Sequence, residues 1–179
     1  MMEITAPPEP EFSRLLAADL ASAKITIEQL SASPAECAAL AKRFGVEAIQ
    51  DLRADCRLAS LASANRLRLE VTFSAEVRQL CVVTLEPVVT SITSEFAREY
   101  IPPAFTEDAQ EIVIDPDADD PPEAIPEGGI DAGEAVAEQL GLEIEPFPRA
   151  PGAEFEEINE IEPADHPFAQ LKNLKIDGK

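Results

Sequence analysis

Three cysteines, one histidine and a run of aspartates are the residues of this 179-residue chain with the most evident chemical potential. Cys37, Cys56 and Cys81 are spaced by 19 and 25 positions, and none has another Cys or a His within four residues. Zinc sites announce themselves as close ligand pairs that recur, so no metal site is expected. Cys37 and Cys56 fall on apolar faces and read as small core residues. An odd cysteine count and the lack of a secretion signal argue against disulfides. His166 lies in the loop-like Pro163-Ala164-Asp165-His166-Pro167, without an orienting partner, and reads as a surface histidine. Asp115-Pro116-Asp117-Ala118-Asp119-Asp120 has the opening rhythm of a calcium loop. It carries Asp120 where the turn needs Gly and Pro126 where a bidentate Glu belongs, which leaves a solvated acidic loop. There is no nucleophile elbow, zinc-protease helix, phosphate loop or dinucleotide fingerprint, so neither an enzyme nor a cofactor is expected. Acid–base chemistry by Glu86, Asp131 and Glu134 is the alternative, and it requires the fold to bring them together.

Charge sets the next constraint. The chain holds 14 Lys plus Arg against 35 Asp plus Glu, a formal net charge of −21. Residues 1–106 account for −4 and residues 166–179 for +2. Residues 107–165, with 20 carboxylates and one arginine, account for −19 and hold half of the 16 prolines. Such a segment is solvated and partly extended. It repels a polyanion over a screening length of ~8 Å, which excludes DNA as a partner for it, and it attracts a basic protein. No run of 18 apolar residues and no leader-like N-terminus occurs, so a cytoplasmic protein with no membrane partner is expected.

Arginine is the only candidate for nucleic-acid contact in the balanced part. Arg53, Arg57, Arg66, Arg68 and Arg78 alternate with apolar residues on two neighbouring strand patterns and would share one outward face. That face either touches RNA or pairs internally with Asp55, Glu70 and Glu76.

The elements that must carry these residues follow from periodicity. From Arg66 to Arg78, thirteen residues alternate polar and apolar without interruption, a long half-buried strand. Leu52, Ala54, Cys56 and Leu58 form the inner row of a preceding strand, joined through Ala62-Ser63-Ala64-Asn65 as a hairpin. A third strand runs from Pro87 with Val88, Ile92, Phe96 and Tyr100 on one face and stops at Pro102-Pro103. Shorter strands are expected at 24–28 and 111–114.

Ser33-Pro34-Ala35-Glu36 opens a helix with a capping box, and Cys37, Leu40, Ala41 and Phe44 form its buried face before Gly45. A second helix, near 131–141, has Asp131 as cap, Glu134 in the capping-box position, Val136 and Leu140 inward and Gly141 at its end. A short helix at 168–173 is also expected. The whole is one domain over 1–179, an α+β fold whose antiparallel sheet could curl toward a barrel.

One constellation remains. Cys81-Val82-Val83-Thr84-Leu85-Glu86-Pro87-Val88 is followed by Ile130-Asp131-Ala132-Gly133-Glu134 with Glu138-Gln139-Leu140. Pro146-Phe147-Pro148-Arg149 and Pro167-Phe168-Ala169-Gln170-Leu171 come after it. In order and spacing these resemble the YceD family, bacterial proteins linked to accumulation of large-subunit ribosomal RNA, and its alphaproteobacterial members in particular. The resemblance runs from about Phe12 to the C-terminal motif and makes Cys81, Leu85, Glu86, Pro87, Asp131, Gly133, Glu134, Gln139 and Pro148 candidate functional residues.

The family often has a second cysteine three positions after the first, where Thr84 stands here, so Cys81 is expected to be structural. Glu86 reads as a strand-corner residue and Glu134 as a capping-box residue or a contact. The resemblance implies a non-enzymatic factor in 23S ribosomal RNA accumulation or ribosome assembly. Its partner would be a basic ribosomal protein or assembly factor, which the frequent proximity of family genes to that of a large-subunit ribosomal protein suits. The alternatives are direct contact with large-subunit rRNA through the arginine face, and a general protein-interaction module.

Overall fold

The structure, a computed structural model, describes residues 10–18, 25–61, 66–103 and 121–155. The elements in order are β1 (Leu15–Leu16), β2 (Thr26–Ser31), α1 (Pro34–Phe44), β3 (Ala48–Leu61), β4 (Arg66–Leu80), β5 (Pro87–Ile101), β6 (Glu123–Ala124), β7 (Ile130–Asp131) and α2 (Ala132–Glu143). Five strands form one sheet in the order β2-β3-β4-β5-β6, antiparallel except for the parallel β5–β6 pair, while β1 and β7 pair separately. The fold is α+β.

The sheet does not close into a barrel. Its end strands β2 and β6 have six and two residues, and they are the two edges of the sheet. Closure is not needed to bury the inner rows, because the two helices and the N-terminal segment cover that face. Leu67, Leu69, Val71, Phe73, Ala75 and Val77 of β4 are buried against α1, α2, Phe12 and Ile130, and no charged or polar residue is buried among the described residues. The opposite face is open to water, as the polar rows of β3 and β4 require.

β3 starts four residues earlier than its inner row of alternating residues, for a specific reason. Its register with β4 shifts between Gln50 and Arg53, and Asp51 adopts φ 51°. This bulge turns both Ile49 and Leu52 inward, so period two fails across it. β2 lies at 26–31 instead of 24–28.

α1 matches its sequence signature. Ser33 Oγ accepts from the Glu36 amide, the Glu36 carboxylate accepts from the Ser33 amide, and Gly45 closes the helix at φ 68°. α2 differs in two places. It runs through Gly141 to Glu143, and the glycine suits a close approach of α1, since a Cβ there would stand 3.0 Å from the Phe44 ring. Glu134 does not complete a capping box and turns to α1 instead. The expected turn at 62–65, strand at 111–114, acidic loop at 115–120, His166 and helix at 168–173 lie outside the described residues.

Candidate functional site

The motif residues gather in two places. At the start of α2, Asp131 acts as N-cap and as anchor. Its Oδ1 accepts from the Glu134 amide at 3.1 Å and the Arg14 amide at 2.7 Å, and its Oδ2 accepts from Ser13 Oγ at 2.6 Å. Gly133 lets the N-terminal segment pass directly over the helix, since a Cβ there would collide with the Phe12 carbonyl. Gly129, at φ 116°, makes the same kind of approach to the Leu16 carbonyl.

Ion pairs extend this clasp to α1. Glu134 receives both ends of the Arg43 guanidinium, which also reaches Glu11. Arg14 forks onto Glu36 and lies over the Phe12 ring, 4.6 Å from its centre. Arg14 holds the Glu36 carboxyl down to about 2, helped by the Ser33 amide and hydroxyl. Hydrogen bonding to Glu134, and then to Glu11, raises Arg43 above the ordinary arginine range. Asp131 and Glu134 are therefore engaged in joining three segments. Gln139 sits one turn further along α2 and donates to Glu143 at 3.1 Å.

The second gathering is the tip between β4 and β5. The Cys81 amide donates to the Glu86 carbonyl, and the Leu85 amide donates to the Cys81 carbonyl. Leu85 sits at φ 59°, a left-handed conformation unusual for a bulky side chain, and is 70% exposed. Pro87 opens β5, where its missing N–H removes no bond to β4. The segment after α2 folds onto this tip. The Val82 amide donates to the Pro148 carbonyl at 2.9 Å, and Gln79 Nε2 donates to the Glu145 carbonyl at 2.9 Å.

Cys81 is buried at the centre of the junction. The Ala150 backbone and the Thr84 hydroxyl and amide, with a further bond from the Val83 amide, hold its thiol down to about 6. Thr84 is thus a hydrogen-bonding neighbour of Cys81. Val82, Leu85 and Phe147 leave an apolar rim around the tip.

The tip holds Glu86 while Asp131 and Glu134 belong to the clasp, on separate elements. Burial raises the other two thiols, with Cys56 pushed up to about 11. Among the described residues, no group of three or more His, Cys, Asp or Glu side chains is placed to hold a metal ion.

The five outer-face arginines are all paired. Arg57 lies on Glu70 at 2.5 Å, Arg66 on Glu99 at 2.9 Å, and Arg68 on both Glu70 and Glu99 at 3.3 Å. Arg53 meets Asp51 at 3.4 Å and Arg78 meets Glu47 at 3.1 Å. Glu70 is thus one of the three expected partners that appears, and Glu99, Asp51 and Glu47 take the remaining roles. Among the described residues, every arginine except Arg149 carries a carboxylate partner.

Clasp, motif tip and one-sided sheet define a small α+β protein whose motif residues organise junctions between segments. The chain belongs to the YceD family, described as large ribosomal RNA subunit accumulation protein YceD, whose profile matches residues 69–175. That span begins in β4 and includes the tip and the clasp's helix. No curated protein and no solved structure matches the chain. No helix among the described residues is long and apolar enough to cross a membrane.

Proposed function

We propose that this protein is a non-enzymatic, cytoplasmic factor that supports large-subunit rRNA accumulation by binding a basic ribosomal protein or assembly factor. Family membership supplies the process, and charge supplies the partner. The observation that carries the reading is that the arginines are spent internally. Eight of the nine arginines sit on carboxylates within the described residues, so the uncompensated charge offered outward is acidic, in a chain of net −21. A field of that sign concentrates cationic partners and speeds their encounter. Direct rRNA contact through Arg53, Arg57, Arg66, Arg68 and Arg78 draws less support, because phosphate would have to displace a carboxylate at each position.

Affinity capture from a bacterial lysate at low and high salt, with protein and RNA both identified, tests this. A basic protein that is recovered at low salt and lost steeply as salt rises agrees with it. Equal recovery by a variant with eight carboxylates of 107–165 neutralised overturns it. RNA captured without protein, and lost when the five arginines become Gln, replaces it with the rRNA reading.

A further inference from the structure

The long edge of β5 that is unpaired among the described residues is the feature that neither the clasp nor the tip explains. β5 pairs with β4 along its whole length, from Leu80↔Pro87 to Leu67↔Tyr100, without a register shift. On its other side, among the described residues, only Tyr100 and Ile101 are paired, with the two residues of β6. The Ile101 carbonyl accepts from the Ile125 amide at 2.8 Å, so it points away from β4. The N–H and C=O of one strand residue point to the same side, and alternate residues alternate sides. Val89, Ser91, Thr93, Glu95, Ala97 and Glu99 therefore present both backbone groups outward, over ~34 Å of strand.

Proteins ordinarily blunt such an edge with lysine, proline or a bulge. Between Val88 and Tyr100 this strand has none of the three; its charged residues are Glu95, Arg98 and Glu99, of which Arg98 is tied to Glu138 and Glu99 to Arg66 and Arg68.

The surroundings specify what would pair there. A groove of about 850 Å³ runs between β5 and α2, with Leu142, 77% exposed, on its helix side. Its arginines are already neutralised: Arg98 lies on Glu138, and Arg66 and Arg68 lie on Glu99. Glu95 stands on the outer face, and among the described residues Glu143 accepts hydrogen bonds from Ser94 and Gln139.

We infer that β5 is a strand-addition site for an extended basic segment of a protein partner. Apolar side chains of the added strand would turn toward Leu142, and Lys or Arg side chains would lie on the outer face beside Glu95. Main-chain hydrogen bonds would supply affinity, and alternate side chains would supply selectivity. The inference rests on the basic-partner reading and gives it a location.

The probe is a fluorescent twelve-residue peptide of alternating Lys and Val, followed by anisotropy on the full chain. Thr93→Pro removes an outward N–H and no bond to β4, so its thermal transition should stay within a few degrees while binding weakens at least tenfold. A second probe, the same peptide with every amide N-methylated, keeps the charge and cannot pair, so it should also bind at least tenfold more weakly. Glu95→Gln with Glu143→Gln should reduce the salt dependence. Equal binding of both peptides to the wild-type chain overturns the edge and leaves a charge-only basic partner standing. Failure of both peptides to bind at low salt overturns both readings. A dimer in sedimentation that Thr93→Pro converts to monomer assigns the edge to a second copy instead.

Discussion

Arg43 and Glu134 lie 91 positions apart and meet as a two-pronged pair, with N–O distances of 2.8 and 3.1 Å. This contact joins the C-terminal turn of α1 to the first turn of α2, and Glu11 on the same guanidinium adds the N-terminal segment. The pair is about three-quarters shielded on the Glu134 side. Both carboxylate oxygens are used, which distinguishes it from an ordinary surface ion pair.

Glu134→Ala should therefore cost about 1 kcal/mol, more than an exposed salt bridge. In a double-mutant cycle with Arg43→Ala, most of that loss should appear as coupling. Urea denaturation of the four proteins checks this. Additive single losses would mean that the contact contributes nothing specific.

Gly133→Ala offers a reversal of sign. Inside a helix, replacing Gly by Ala normally stabilises by up to ~1 kcal/mol. Here the new Cβ meets the Phe12 carbonyl and lies 2.9 Å from the Arg14 amide. Backbone atoms cannot yield as a flexible side chain does, so the substitution should destabilise by ~1–3 kcal/mol and loosen residues 12–16. Lower thermal stability together with faster amide exchange in β1 and β7 is the expected pair of results.

Much of this architecture was legible in local spacing. The thirteen-residue alternation of β4, the capping box of α1 and the Asp131 cap depend on neighbours in sequence, and they appear where periodicity placed them. The bulge at Asp51 did not announce itself, because one extra residue in a strand changes no composition. Gly141 reads as a stop signal by type, yet it lies inside the helix at a point where a Cβ would stand 3.0 Å from the Phe44 ring. The partners of the outer-face arginines depend on which strand lies beside which. Glu99 on β5 could be assigned to Arg66 and Arg68 only once the β4–β5 register was known. Arg14 and Arg43 carried no signal at all, since each finds its carboxylates far along the chain.

Acid should act on the clasp through Glu36. Its folded carboxyl is held at about 2, against an ordinary value of 4.5. A depressed carboxyl contributes stability that is complete above the unfolded value and lost as pH falls through the folded one. Stability should thus decline between about pH 4.5 and about pH 2, and Glu36→Gln should flatten that part of the curve. Because the group is partly exposed, the slope is expected to weaken in high salt. An unchanged acid limb in the variant would assign the decline to other carboxylates.

Cys81 should titrate apart from the other two thiols. Hydrogen bonds from the Ala150 backbone, Thr84 and Val83 hold it at about 6, whereas burial raises Cys37 and pushes Cys56 up to about 11. Between pH 6 and 9 the thiolate absorbance near 240 nm should come from Cys81 alone, with a midpoint near 6 that disappears in Cys81→Ala. The folded value lies below the ordinary 9.0, so the contribution to stability is complete above 9 and is lost as pH falls through 6. Wild-type stability should therefore fall relative to Cys81→Ala across that window. Since Sγ is enclosed, iodoacetamide should react slowly despite the abundant thiolate, because access also limits the rate. A midpoint near 9 would show that the amides do not stabilise the anion, whereas fast alkylation at pH 7 would show that the tip opens on the timescale of the reaction.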